Sequence, residues 1–161
     1  MTKPEISEQV ETKMKDSIAF TFDFEHASDL KNIQTVTDFK AKSGTYSAML
    51  NDSIEYSVTF SKNLSDIPDF KLVKEVKVEC SLFSDKKIQN ASIVLAIDGP
   101  DGKSIHWSGD NIYGKENEWS TFTKVFPLDG SYLDNSGILK IFIWNKEKEV
   151  FYLDDLNIVF K

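Results

Sequence analysis

Segment after segment of this chain alternates apolar and polar residues with a period of two. In Ile18-Ala-Phe-Thr-Phe-Asp-Phe-Glu25, Phe20, Phe22 and Phe24 fall on one side, and Ala19, Thr21, Asp23 and Glu25 on the other. Successive side chains of a strand point to opposite faces, so this is the pattern of a half-buried strand. It returns in Gly44–Leu50, where Tyr46, Ala48 and Leu50 oppose Thr45, Ser47 and Met49. It returns again in Ile54–Phe60, with Ile54, Tyr56, Val58 and Phe60 inward, and in Leu72–Phe83, with Val76, Val78, Cys80 and Leu82 inward. Ala91–Ile97 is more continuously apolar, as for a central strand. Lys103–Ser108, Trp119–Phe126, Ile138–Trp144 and Val150–Phe160 complete the set. Asn51–Ser53 reads as a hairpin turn, Asp98-Gly-Pro-Asp-Gly102 as a tight turn, Gly109–Glu118 as a polar loop and Asn145–Glu149 as a charged hairpin loop. Asp129-Gly-Ser131 and Asp134–Gly137 punctuate one more connection.

Nine or ten short strands without a long amphipathic helix imply an all-β domain, a sandwich of antiparallel sheets, over residues 17–161. At 161 residues the chain has the length of one domain with a real core. Residues 1–16 read as a polar arm or linker, although the spacing of Ile6, Val10 and Met14 also suits a short helix. The single cysteine, Cys80, admits no internal disulfide and reads as a small buried hydrophobe.

Charge removes several classes of partner. The formal net charge is -7, and all 19 basic residues are lysines. Nucleic-acid binding needs a basic surface and favours arginine for base reading, so nucleic acid is not expected as a partner. Neither is an anionic membrane surface, and no apolar run is long enough to span a bilayer. Two histidines and one cysteine at unrelated positions cannot supply a zinc site. No Gly-x-Ser-x-Gly nucleophile or glycine-rich phosphate loop is present. Carboxylates are plentiful, but nothing marks a pair for glycoside hydrolysis, and no enzyme activity is expected.

The tail Glu149-Val-Phe-Tyr-Leu-Asp-Asp-Leu-Asn-Ile-Val-Phe160 poses a physical problem. Asp154 and Asp155 cannot both face the same side of a regular strand. A carboxylate facing the core costs several kcal/mol unless a cation or hydrogen-bond donors meet it. Alternation therefore splits the pair, one to each face, and the inward one needs a cation or a set of hydrogen-bond donors.

Exposed aromatic faces stack on sugar rings, with nearby polar groups fixing orientation. The candidates are Trp107, Tyr113, Trp119, Phe142 and Trp144. In Ile138–Trp144, Leu139, Ile141 and Ile143 take the core face, leaving Lys140, Phe142 and Trp144 on the outer face. Trp107 shares parity with Ile105, a position that also suits core, and leads into Ser108-Gly-Asp-Asn-Ile-Tyr113 at an expected sandwich edge. Trp107, Asn111, Tyr113 and Trp144 are the candidate ligand contacts.

Four stretches, in order, carry a resemblance: Phe22-Asp-Phe-Glu25, Ala41-Lys-Ser-Gly-Thr-Tyr-Ser47, Trp119-Ser-Thr-Phe122, and Ile141-Phe-Ile-Trp-Asn145 followed by Phe151-Tyr-Leu-Asp-Asp-Leu156. Together they resemble the calcium-containing, galactose-binding-like jelly-roll carbohydrate-binding modules that accompany bacterial glycoside hydrolases. The resemblance spans roughly residues 18–160, and the tryptophan that usually follows the opening strand is replaced here by Asp29-Leu-Lys-Asn32. It implies a jelly roll with a structural calcium held by Glu25, Asp154 or Asp155, and the backbone near Gly44. It also implies a monomeric, non-catalytic glycan-binding domain working outside the cytoplasm. The start Met1–Glu8 lacks the apolar core of a signal peptide, so the signal or anchor is expected in a segment beyond this sequence. The alternative is a structural or interaction jelly roll of a larger cell-envelope protein, with a protein partner and no sugar site.

Overall fold

The computed structural model describes residues 17–25, 30–31, 33–128 and 136–161. The expected arm 1–16, His26 and the turn at 129–131 lie outside the described residues. Eleven strands form two antiparallel sheets: β1 (Ile18–Phe22), β2 (Leu30–Lys31), β3 (Val36–Thr37), β4 (Ser47–Leu50), β5 (Thr59–Asn63), β6 (Glu75–Phe83), β7 (Ala91–Asp98), β8 (Ser104–Asn111), β9 (Ser120–Pro127), β10 (Ile138–Asn145) and β11 (Phe151–Phe160). One sheet runs β3-β4-β11-β6-β9 with β1 also on β11, and the other runs β2-β5-β10-β7-β8. This is the expected β-sandwich jelly roll.

Alternation predicts most of the core. Val76, Val78, Cys80 and Leu82 of β6 face Leu139, Ile141 and Ile143 of β10, with Phe60, Phe20 and Phe160 gathered between the sheets. Burial, with a smaller push from Glu79, lifts the Cys80 thiol up to about 12, so it stays an inert apolar group.

Two expectations change. Asn51–Ser53 does not turn a hairpin, because β4 and β5 belong to different sheets. Residues 54–58 run outside the named strands, the Tyr56 backbone pairs with β10 through an isolated bridge to Trp144, and its side chain is exposed instead of inward. The buried Ser57 holds this crossing, exchanging backbone and hydroxyl hydrogen bonds with Ile143 at 3.0 and 2.8 Å. The polar stretch Gly109–Asn111 is strand, not loop, because its backbone pairs with Ser92–Val94. On an edge strand, polar side chains protect an open edge and do not mark a break.

β11 organises its sheet. β6 lies along one of its edges, while β4 pairs with Phe151–Leu153 and β1 with Leu156–Phe160 along the other. Asp154 and Asp155 sit at the changeover. Phe151 and Leu153 join the core before it, and Leu156, Ile158 and Phe160 after it. Strict alternation cannot satisfy both sets. The register shifts between the Asp154–Ser81 and Asn157–Glu79 pairs, so the strand bulges there, with Asp155 at φ 49°.

The bulge leaves Asp154 fully buried and Asp155 half-buried. Lys42 and Ser43 donate their backbone N–H groups to Asp154 Oδ2 at 2.8 and 3.2 Å, and the Asp155 N–H reaches Oδ1 at 2.8 Å. Glu25, just beyond β1, accepts the N–H groups of Thr45 and Tyr46, both at 2.8 Å. Gly44 stands between them at φ 60°, and a Cβ there would press on the Glu25 carboxylate, so glycine suits the turn. The 42–46 turn is thus strapped to the end of β1 and the bulge of β11.

Asp154→Ala would strand three backbone donors, two of them from the strapped turn. It is expected to lower the unfolding free energy by about 3 kcal/mol in urea denaturation. Asp155→Ala, which loses the Ser43 hydroxyl at 2.6 Å, should cost about 1 kcal/mol. Equal losses would refute the role given to the bulge.

Candidate functional site

The outer face of the five-stranded sheet carries an aromatic strip. Trp107, Gly109 and Asn111 of β8 lie opposite Ala96, Val94 and Ser92 of β7, and β10 sets Phe142 and Trp144 opposite Val94 and Ser92. Small side chains on the central strand thus let two rings from flanking strands lean together. The indoles of Trp107 and Trp144 meet edge to face, with centroids 6.4 Å apart at 83°. Trp107 remains 54% exposed. Its ring lies over Gly109, where a Cβ would come within 2.8 Å of it.

The strip continues across the sheet. Phe142 meets Tyr56 at 5.8 Å, again edge to face. The Trp144 indole N–H donates to Glu55 Oε1 at 3.3 Å, and the Lys146 ammonium sits 5.3 Å from the ring centre. Ser92 Oγ donates to Asn111 Oδ1 at 3.3 Å, and Lys140 pairs with Asp98 at 2.8 Å. From β8 to the Tyr56 segment the strip crosses three inter-strand spacings, roughly 14 Å. A surface of this kind offers ring faces flanked by amide, carboxylate and ammonium groups.

Among the candidate contacts, Trp107, Asn111 and Trp144 come together on this face. Tyr113 does not join them: it is exposed, but it packs 6.2 Å from Phe122, a residue of the opposite sheet. Trp119 packs at a 51° tilt against Phe83, 5.6 Å away, on that same opposite sheet. Tyr56 and Glu55 were missed, because alternation put Tyr56 inward. No local signal marks them; their place comes from the bridge to Trp144.

The residues expected to hold calcium, Glu25, Gly44, Asp154 and Asp155, do converge on one turn. Calcium takes oxygen donors, including backbone carbonyls. Here the turn aims N–H groups at both Glu25 and Asp154. Among the described residues no three or more His, Cys, Asp or Glu groups cluster as metal ligands. In this arrangement backbone N–H groups, rather than carbonyls, meet Asp154 Oδ2 and Glu25 Oε1.

Burial raises the Asp154 carboxyl above its ordinary range, and the Asp155 charge adds to this, while the N–H groups of Ser43, Asp155 and Lys42 pull it back. A raised folded-state pKa means that the folded chain holds the proton more tightly than the unfolded one. The stabilisation from this group is therefore full below the unfolded-state value and fades as pH rises through the folded value.

Three comparisons bear on the fold. No protein-family model matches the sequence, and no curated protein does. Solved structures do match. The CBM22-2 xylan-binding domain of Paenibacillus barcinonensis Xyn10C aligns at a TM-score of 0.60 and 11% identity, covering 88% of this chain and 99% of that one. The C-terminal family 22 carbohydrate-binding module of Clostridium thermocellum Xyn10B aligns at 0.58 and 10%, covering 86% and 90%. The CBM22-1 xylan-binding domain of P. barcinonensis Xyn10C aligns at 0.52 and 15%, covering 88% and 92%. The shared property is the jelly-roll fold.

Two measurements check these readings. In a carboxyl 13C titration Asp154 should show a midpoint above 3.8; a lower one would mean that the donors outweigh burial. Removing calcium with EDTA tests the calcium expectation: a lowered melting temperature would support a structural cation, and an unchanged one in a calcium-loaded sample would refute it.

Proposed function

We propose that this chain is a non-catalytic glycan-binding domain that holds a neutral polysaccharide segment across the outer face of its five-stranded sheet, outside the cytoplasm. The observation that carries the reading is the pairing of Trp107 and Trp144 at 6.4 Å, with Trp107 open to solvent. Large apolar rings are left exposed at some cost in free energy, and one open beside polar groups is suited to a ligand with apolar ring faces and hydroxyl edges. The xylan-binding description of the structural neighbours makes β-linked xylan the first glycan to try. Trp107 and Trp144 would stack on sugar rings, Gly109 leaves room for the first of them, and Asn111 and Glu55 would meet hydroxyls. The roughly 14 Å strip suits several consecutive sugar units and an internal stretch of chain.

Xylohexaose is expected to shift the tryptophan fluorescence in a saturable way. Trp107→Ala should weaken binding at least about tenfold, near 1.4 kcal/mol, and Gly109→Val should act alike by displacing the ring. Tyr113→Ala should leave binding intact. No response to xylan, β-glucan or mannan fragments would refute the reading and leave a structural or interaction role.

A further inference from the structure

A cleft of about 700 Å3 lies on the other side of the sandwich, against the six-stranded sheet. Loop residues between β6 and β7, and between β10 and β11, form its rim. Its floor is a second aromatic pair: Phe39 stacks on Tyr152 with centroids 6.1 Å apart and rings 20° from parallel. Phe39 is 77% exposed, so its ring is held in place by the stack yet remains open to the cleft.

The charges around this floor run against the rest of the molecule. Four lysines and three carboxylates line the cleft of a chain whose net charge is -7. With Glu149 and Lys40 engaged within the protein, Lys86, Lys87 and Lys148 stand against Asp85 and Glu116. Glu149 accepts the N–H groups of Gln89 and Asn90 at 2.9 and 3.1 Å, which fixes the same loop that carries Lys86 and Lys87. Lys40 is placed over the Phe83 ring at 3.7 Å. Lys86, Lys87 and Lys148 are exposed on the rim. Tyr152 stays protonated, its phenol raised by burial and by the Asp85 charge, and so can donate a hydrogen bond.

We propose that this cleft is a second, separate ligand site that binds an acidic saccharide, a uronic acid unit, with its ring on Phe39 and its carboxylate at Lys86 and Lys87. An open aromatic face calls for a ring-shaped partner, and ammonium groups at the rim call for an anion on that ring. The site shares no residue with the tryptophan strip.

Calorimetric titration of the whole chain with tetragalacturonate, beside its methyl ester, tests this. The ester keeps the rings and removes the charge. The acid form should bind at low salt, weaken as salt rises, and exceed the ester at least tenfold. Phe39→Ala and the double variant Lys86→Ala/Lys87→Ala should each lose at least tenfold; these side chains are exposed, and a melting curve checks that the variants fold. Trp107→Ala should leave uronate binding unchanged, so the two sites can fail independently. Absence of binding, equal binding of the ester, equal binding of polyglutamate, or loss in Trp107→Ala would each overturn the proposal.

Discussion

One strand edge in this sandwich serves two partners. β11 gives the first part of its edge to β4 and the last part to β1, and a ladder that changes partner leaves backbone donors near the changeover. Buried or half-buried N–H groups need acceptors. Asp154 accepts the half-buried Lys42 and Ser43 groups from the bulge, and Glu25, at the end of β1, accepts the exposed ones of Thr45 and Tyr46. Asp154 is the one fully buried carboxylate among the described residues. Its burial is tolerable because three N–H groups surround it, and the turn is ordered because the carboxylates hold it. The same bulge resets the strand's inward face, so that Leu153 and Leu156 both reach the core. Without the reset, either end of β11 would turn its apolar side to water.

The two outer faces of the sandwich are built differently. On the five-stranded sheet, the β7 residues Ser92, Val94 and Ala96 are short enough to let rings from β8 and β10 cover them, and the result is a strip open to solvent. On the six-stranded sheet, Phe39 lies on Tyr152 beside a lysine-rich rim, and the result is a cleft. An exposed ring is costly unless something fixes it or uses it. Gly109 fixes the placement of Trp107, and Tyr152 fixes that of Phe39.

Much of this was legible in the residues. Period-two alternation named the inward set of β6 and β10 and placed Phe142 and Trp144 outside, because those strands are regular and half-buried. It failed at two places, because alternation reports a side and not a sheet, and polarity does not separate an edge strand from a loop. Tyr56 looked inward because Ile54–Phe60 alternates, and that segment instead crosses between sheets outside any named strand. Gly109–Asn111 looked like loop because an edge strand carries polar residues. For the aspartate pair alternation expected one inward member met by donors, and Asp154 is that member; it did not show the bulge by which Leu153 and Leu156 both reach the core.

The sequence by itself determined the all-β class, the core of each regular strand, the buried thiol, and the need to compensate an inward aspartate of the last strand. These follow from local patterns and from the cost of burying charge. Which groups compensate that aspartate, which tryptophan faces which, and that Phe39 meets Tyr152 were decided only by tertiary structure. Each depends on residues far apart in the chain, Lys42 with Asp154 or Trp107 with Trp144, whose meeting is set by strand order and register. A period of two carries no information about either.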